Sequence, residues 1–119
     1  MRVACAGHPP PLLVRGGEPV RSLAVDATVP LLFGEMPEIP TCEHEMRVGD
    51  RLLFYTDGVT DRESLYGSPY DLERLTAALD DGRDFPASAT VACLVADIEM
   101  FADGHEPDDD QTLLLVGFV

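Results

Sequence analysis

Two amphipathic helical segments lie between apolar runs of strand length, and this order leaves few possible folds. Apolar residues recur at helical spacing from 68 to 82 and again from 84 to 101. Before residue 57, short apolar runs are separated by turn dipeptides such as Gly16-Gly17 and Gly49-Asp50, as in antiparallel strands. One more apolar run, Thr112 to Val119, follows the helices. The order predicts an α+β fold in which helices pack on an antiparallel sheet.

Four segments have the composition of β-strands. Leu12 to Arg15 and Pro19 to Val25 are predicted to form a hairpin around a pair of glycines. Arg51 to Thr56 is predicted as a buried strand, and the uninterrupted apolar run Thr112 to Val119 as a buried central strand. The proline-rich segment from Thr28 to Pro40 is expected to be an irregular surface loop.

The two helices have recognisable boundaries and apolar faces. In the first, Ser68 is the expected N-cap, Pro69 takes the first helical position, and Gly82 ends the helix. The second helix is expected to begin near Asp84 or Ser88. We interpret the apolar stripes as core packing and not as a cofactor site. The residues of these stripes are Leu72, Leu75 and Leu79 in the first helix and Val91, Leu94, Val95, Ile98 and Phe101 in the second.

Composition argues against several classes of function. The chain carries 22 Asp and Glu residues against 8 Lys and Arg, a formal net charge of -14, which argues against binding to nucleic-acid backbones or anionic membranes. Its three cysteines form no Cys-x-x-Cys pair, so neither a structural zinc site nor a disulfide framework is expected. No apolar segment approaches the roughly 20 residues of a membrane span. We therefore expect a cytoplasmic protein with no nucleic-acid or membrane partner.

Two acidic clusters adjoin predicted strands and are the candidates for chemistry. Asp57 directly follows the strand Arg51 to Thr56, and Asp109-Asp110 precedes the last strand. Carboxylates at the ends of neighbouring strands can converge on a hard divalent cation such as Mg²⁺ or Mn²⁺. Gly58 suits such a site because a backbone passing close to a metal tolerates little side-chain bulk. From spacing alone a second interpretation stays open, in which Asp57-Gly58 is a turn and the later aspartates form a solvated loop.

Four short motifs carry a resemblance to a known family. Residues 55–61 read Tyr-Thr-Asp-Gly-Val-Thr-Asp and are similar to the Tyr-Thr-Asp-Gly-Val-Thr-Glu motif of PPM-type serine/threonine phosphatases, in the bacterial branch of stage II sporulation protein E. Residues 6–14 begin Ala-Gly-His-Pro-Pro-Pro and resemble a segment of the same branch. Residues 49–53 resemble its turn and strand before the Asp-Gly motif, and residues 109–114 its closing Asp-Asp-x-Thr motif. The resemblance covers essentially the whole chain.

The resemblance implies a fold and a site. The family fold is a sandwich of two antiparallel sheets flanked by helices, with a centre of two Mn²⁺ or Mg²⁺ ions that activates water against phosphoserine or phosphothreonine. Asp57 and Asp109 would be ligands of one metal. Asp110 would order water or hydrogen-bond to a ligand, and Gly58 and Thr112 would shape the site. The substrate would be a regulatory phosphoprotein, such as an anti-sigma-factor antagonist.

The sequence also departs from the family pattern. The aspartate that bridges both metals in this family precedes the Ala-Gly-His segment, so residues 1–119 are predicted to be a single partial domain, the C-terminal half. We expect this chain alone to be inactive or nearly so, and to self-associate through uncovered sheet edges. No residue in this half is assigned as catalytic. The alternative function is that of a non-catalytic remnant that serves as a protein-interaction module.

Other polar residues are weaker candidates. Asp103-Gly104-His105 superficially resembles the phosphatases' Asp-Gly-His signature but follows a helix, so it is predicted not to be a site. His8 is interpreted as a structural hydrogen-bonding residue. Asp26, Glu35 and Glu38 lie in an irregular region with no motif around them.

Overall fold

The computed structural model describes residues 1–32 and 38–119. Glu35 and the centre of the predicted irregular loop lie outside the described residues. The elements, in chain order, are β1 Arg2–Val3, β2 Cys5–Ala6, β3 Leu12–Val14, β4 Arg21–Ser22, β5 Ala27–Thr28, β6 Cys42–Glu43, β7 Arg51–Tyr55, α1 Asp57–Thr60, α2 Asp71–Asp81, α3 Ala87–Ala102 and β8 Leu113–Gly117.

The largest sheet has four antiparallel strands in the order β4-β3-β7-β8. The predicted hairpin is confirmed as β3 and β4, and the predicted buried strand before Asp57 is confirmed as β7. Leu53, at the centre of β7, lies opposite Leu12 on one side and Leu115 on the other. All three side chains pack into the same apolar core on one face of the sheet.

The prediction of a central position for the last strand is wrong. Among the described residues, β8 is hydrogen-bonded to β7 alone and forms an edge of the sheet. Leu113 and Leu115 pack toward the core, whereas Leu114 and Val116 are 55% and 37% exposed. An uninterrupted apolar run indicates apolar side chains on both faces of a strand. It carries no information about neighbours in the hydrogen-bonding direction, which is perpendicular to the side chains.

Two short sheets lie outside the four-stranded one. β1 pairs antiparallel with β6, and β2 pairs in parallel with β5, a parallel pair that was not predicted. On the second face of the large sheet, Leu13 and Leu52 are buried together with Leu23, and the cover is completed by Val3, Met46 and Phe118. The α+β class is confirmed, with a four-stranded antiparallel sheet flanked by helices.

The helices α2 and α3 cover the first face of the large sheet. Most of the predicted stripe residues are buried or half-buried there, but Leu72 and Val95 are 42% and 47% exposed. In the described ranges, no helix has both the length and the apolar character needed to cross a membrane. The core between helices and sheet contains Leu12, Val14, Val20, Leu53, Tyr55, Val59, Tyr70, Leu75, Leu79, Leu94 and Ile98.

The start of α2 differs from the prediction, whereas its end agrees. The helix begins at Asp71 and not next to Ser68, whose carbonyl accepts a hydrogen bond from the Ser64 backbone N–H at 2.9 Å. Asp71 Oδ1 accepts from the backbone N–H of Arg74 at 2.9 Å, which is the contact that an N-cap side chain makes. Gly82 follows the last residue of α2, as predicted.

A buried ion pair fixes the turn that leads into β7. Asp50 is 2% exposed, and its carboxylate accepts from Arg15 Nε at 2.9 Å and Arg15 Nη2 at 2.6 Å. The backbone N–H of Arg47 donates to the same carboxylate at 2.7 Å. The hydrogen bonds from Arg15 hold the pKa of the Asp50 carboxyl below its usual value, against the opposing effect of burial.

Candidate metal centre

Asp57 lies at the point where β7 turns into the single helical turn α1. Its backbone carbonyl accepts from the Asp61 N–H at 2.8 Å and from Thr60 Oγ1 at 3.1 Å, which closes the turn. Its Oδ1 atom accepts from the Gly58 N–H at 3.0 Å. The Asp57 side chain is exposed, while the following residues Gly58 and Val59 are buried. A carboxylate is therefore presented to solvent from a well-packed backbone.

Asp109 and Asp110 lie in the loop that leads into β8. Both are exposed, and Asp109 Oδ1 accepts from the Asp110 N–H at 2.7 Å. Because β7 and β8 are antiparallel, with Tyr55 opposite Leu113, the end of β7 and the start of β8 meet at the same end of the sheet. Asp57 and the Asp109-Asp110 pair thus belong to one end of the molecule, as the sequence predicted.

Gly58 forms the contact between the two segments. A Cβ atom at this position would lie 2.4 Å from the Asp110 carbonyl oxygen and 3.4 Å from the Asp109 Cβ. The need for glycine comes from this close approach and not from backbone conformation, because Gly58 is not among the residues with positive φ. A side chain at this position is excluded by the carbonyl of Asp110, whereas the expected reason, close passage to a metal, stays a prediction.

Thr56 and Gln111 join the same two segments, and sequence reasoning assigned neither a role. Thr56 Oγ1 donates to the Asp110 carbonyl at 3.2 Å and accepts from the Thr112 N–H at 3.0 Å. Gln111 Nε2 donates to the Gly58 carbonyl at 3.1 Å. Thr112 contributes its backbone to this network, with its side chain exposed. The position of Thr56 next to Asp57 was the one sequence feature that pointed to it. Its hydrogen-bond partners lie on the neighbouring strand segment, and the spacing of residues in the sequence does not reveal them.

The two carboxylates have the chemistry of hard-cation ligands. Each places Oδ1 on a neighbouring backbone N–H, which orients the group. In the hydrogen bonding of the described residues, Oδ2 of Asp57 and of Asp109 accepts from no protein donor. Mg²⁺ and Mn²⁺ sites commonly combine one or two such carboxylates with several waters. The donor set fits a divalent cation of this kind.

The remaining sequence candidates occupy other places. Asp103 caps the end of α3 with φ 49°, and Gly104 follows it with φ 87°, so this dipeptide serves as a helix terminus. His105 lies with Glu63 and Asp108, and the ligand atoms of the three residues are all within 4.8 Å of one another. His8 is exposed, and its backbone carbonyl accepts from the Cys5 thiol at 2.9 Å.

The fold is that of PP2C-type phosphatase domains. The SiaA-PP2C domain of Pseudomonas aeruginosa matches 99% of this chain with a TM-score of 0.81 and 21% identity, over 47% of its own length. The phosphatase domain of SpoIIE from Bacillus subtilis, presoaked with Mn, matches 99% of this chain with a TM-score of 0.68 and 14% identity, over 56% of its length. These two likenesses establish the architecture.

The family is established by the sequence. The structure of the RsbU and RsbW domains of Rv1364c from Mycobacterium tuberculosis matches 96% of this chain with 33% identity and a TM-score of 0.65, over 31% of its length. A family model described as Stage II sporulation protein E (SpoIIE) matches residues 1–119. The chain belongs to the stage II sporulation protein E family. It spans 31%, 47% and 56% of the three solved chains, less than two thirds of each.

Proposed function

We propose that this chain carries part of the metal centre of a metal-dependent protein serine/threonine phosphatase, and that residues 1–119 form a single partial phosphatase domain. The observation that carries the proposal is the close approach of Gly58 to the Asp110 backbone and the Asp109 Cβ. It brings two oriented carboxylates to one end of the β7–β8 pair. Membership of the stage II sporulation protein E family supports the same function.

Each residue of the site has a proposed role. Asp57 and Asp109 hold a Mn²⁺ or Mg²⁺ ion through their free carboxylate oxygens, and Asp110 orders water beside it. Gly58 and Thr112 hold the two backbone segments at the required separation. The bound metals of such a centre supply Lewis-acid activation of water and of the phosphoryl group. The protein's own contribution is a rigid, preorganised pair of ligands on neighbouring strand ends.

The proposed substrate is a phosphoserine or phosphothreonine residue of a regulatory protein, such as an anti-sigma-factor antagonist. The support is the resemblance to the bacterial branch of the family and the 33% identity to a protein whose structure includes RsbU and RsbW domains. The surface around the site is acidic, in a chain with a net charge of -14. A basic segment on the substrate protein would complement it electrostatically.

Metal binding is the first test, and it needs no substrate. We would titrate the chain with Mn²⁺ and follow free and bound ion by electron paramagnetic resonance. Asp57→Asn and Asp109→Asn should each weaken Mn²⁺ binding by at least about tenfold. Loss of a residue that only supports a metal ligand already costs about that much affinity, and these two residues are proposed as ligands themselves. Asp61→Asn is the matched control, because Asp61 is exposed in the same motif and is proposed to bind no metal. Equal Mn²⁺ affinity in all three variants would remove the basis for the site.

Phosphate release from a phosphoserine protein in the presence of Mn²⁺ is the second test. A two-metal centre needs more ligands than Asp57 and Asp109 supply, so we expect little or no turnover by the 119-residue chain. Robust turnover that a chelator abolishes would contradict this expectation and would itself demonstrate the enzyme.

The second candidate function is that of a protein-interaction module. The observation favouring it is the exposed apolar face of the sheet, where Phe54, Leu114 and Val116 are 37%, 55% and 37% exposed. If the chain binds no Mn²⁺ but forms a stable complex with another protein through this face, the function of an interaction module is favoured over that of a phosphatase.

A further inference from the structure

The loops after α1 and α3 bring together three metal-ligating side chains, none of which is Asp57 or Asp109. Glu63, His105 and Asp108 each offer one ligand atom, and these atoms lie within 4.8 Å of one another. We propose that these residues form a second metal site, selective for a borderline divalent ion such as Zn²⁺ or Co²⁺. One imidazole with two carboxylates is a donor set that such ions accept more readily than Mg²⁺ does.

The three ligand atoms are close enough for a single ion after adjustment of the side chains. Bonds from Zn²⁺ to imidazole nitrogen and carboxylate oxygen are about 2.0–2.2 Å long and tetrahedral, so two ligand atoms of one ion are about 3.3–3.6 Å apart. The three ligand atoms lie within 4.8 Å of one another, which leaves a gap of up to about 1.5 Å to close. Small side-chain rotations of Glu63 and Asp108 close that gap without movement of the backbone.

The backbone at two of the three ligands is held in place. Glu63 faces Pro69 in an isolated antiparallel bridge, flanked by the hydrogen bonds from Tyr70 N–H to the Arg62 carbonyl at 2.8 Å and from Ser64 N–H to the Ser68 carbonyl at 2.9 Å. The His105 N–H donates to the Ala102 carbonyl at 3.0 Å, which ties it to the end of α3. Ligands on such fixed segments need little ordering when an ion binds.

Two features of the surroundings indicate a ligand at this cluster. His105 Nδ1 is buried and has no hydrogen-bond partner among the described residues. A buried group of this kind without a partner is destabilising, and a metal bond from Nδ1 would satisfy it. The site also lies just beyond the C-terminus of the 16-residue helix α3, whose last turn carries no basic residue. The negative end of the helix dipole favours a cation there.

Arg62 is the buried neighbour that any ligand must accommodate. It is 4% exposed, its Nη2 donates to the His105 carbonyl, and its Nε and Nη1 have no partner in the described part of the chain. With the carboxylates of Glu63 and Asp108 it gives the cluster a formal charge of -1, so a divalent cation is still attracted. Rotation of Arg62 onto both carboxylates is the competing arrangement, and it would exclude a metal.

Co²⁺ titration of the tag-free chain tests the proposal. The double variant Asp57→Asn, Asp109→Asn removes the carboxylates of the proposed phosphatase centre, so failure of that function and failure of this site are distinguishable. We expect this double variant still to bind one Co²⁺, with the visible absorption of a nitrogen- and oxygen-ligated ion. Adding His105→Ala should weaken binding by at least about tenfold, because a protein ligand is lost.

His44→Ala, added to the same double variant, is the matched control. The His44 ring nitrogen Nε2 is already hydrogen-bonded to the Ala24 carbonyl at 2.7 Å, and we expect Co²⁺ affinity to be unchanged by this substitution. Circular dichroism of each variant checks that the fold persists, and Glu63→Gln gives a second ligand test that preserves size. Absence of Co²⁺ binding in the double variant, or equal affinity with and without His105, would overturn the proposal.

Discussion

Replacing Gly58 with alanine tests the contact that joins the two halves of the candidate metal centre. The new Cβ would lie 2.4 Å from the Asp110 carbonyl oxygen, where ordinary contact begins at 3.4 Å, so the loop would have to retreat by about 1 Å. Overpacking of this kind costs about 1–3 kcal/mol. Alanine in place of glycine in a helical turn stabilises the fold by at most about 1 kcal/mol, which offsets part of this cost. We expect Gly58→Ala to lower the free energy of unfolding by about 1–2 kcal/mol.

Urea denaturation followed by circular dichroism measures this difference. Gly117→Ala is the matched control, because a Cβ on Gly117 meets no atom within 4 Å and its φ is not positive. The control should be unchanged or slightly stabilised, since glycine inside a strand is less stable than alanine by about 0.5–1 kcal/mol. Mn²⁺ affinity should fall in Gly58→Ala and stay constant in Gly117→Ala. Equal unfolding midpoints and equal Mn²⁺ affinities for the two variants would refute the reasoning.

Three further predictions concern stability and association. Asp50→Asn should lower the free energy of unfolding by about 2 kcal/mol at neutral pH, because it breaks the buried pair with Arg15. The pKa of Asp50 is lowered from 3.8 by folding, so its stabilisation is present above that pH and is lost as the pH falls through the folded pKa. In urea titrations at acid pH, the difference in free energy of unfolding between Asp50→Asn and the unchanged protein should therefore shrink below pH 3.8. A difference that stays constant would contradict this prediction. Thr56→Val should cost about 1 kcal/mol through its two lost hydrogen bonds, whereas Thr56→Ser keeps them, and equal thermal midpoints for the two would argue against this role. The chain should self-associate through the exposed sheet face, and the variant Leu114→Lys should self-associate less. A monodisperse monomer in light scattering of the unchanged chain would count against this prediction.

Most secondary structure was predictable because its signals are local. The spacing of Leu75 and Leu79, and of Leu94 and Ile98, reports a helix face directly, and these residues are buried. The start of α2 was harder to predict, since Asp71 and Ser68 are both good N-cap residues and the hydrogen bonds between Ser64 and Ser68 in the preceding turn decide between them. The edge position of β8 depends on which strands are neighbours, and the sequence pattern of one strand does not contain that information.

The candidate site was predictable in part for the same reason. Asp57 and Asp109 adjoin strands that were recognised, and antiparallel pairing of those strands brings their acidic ends together. The hydroxyl of Thr56, which joins the same segments, has partners that only the folded chain reveals. His105 and Glu63 are separated by two helices in the sequence, so their proximity follows from helix packing and not from spacing.

The edge position of β8 has a consequence for local unfolding. An edge strand held by one neighbour is a natural place for the native sheet to open, and amide hydrogen exchange reports such opening. A cation shared by Asp57 and Asp109 binds only while β8 is paired with β7. By mass action it would therefore suppress detachment of the strand. The backbone amides of β8 should then exchange more slowly when Mn²⁺ is present. The hydrogen-exchange rate of β8 would therefore report whether the metal site is occupied.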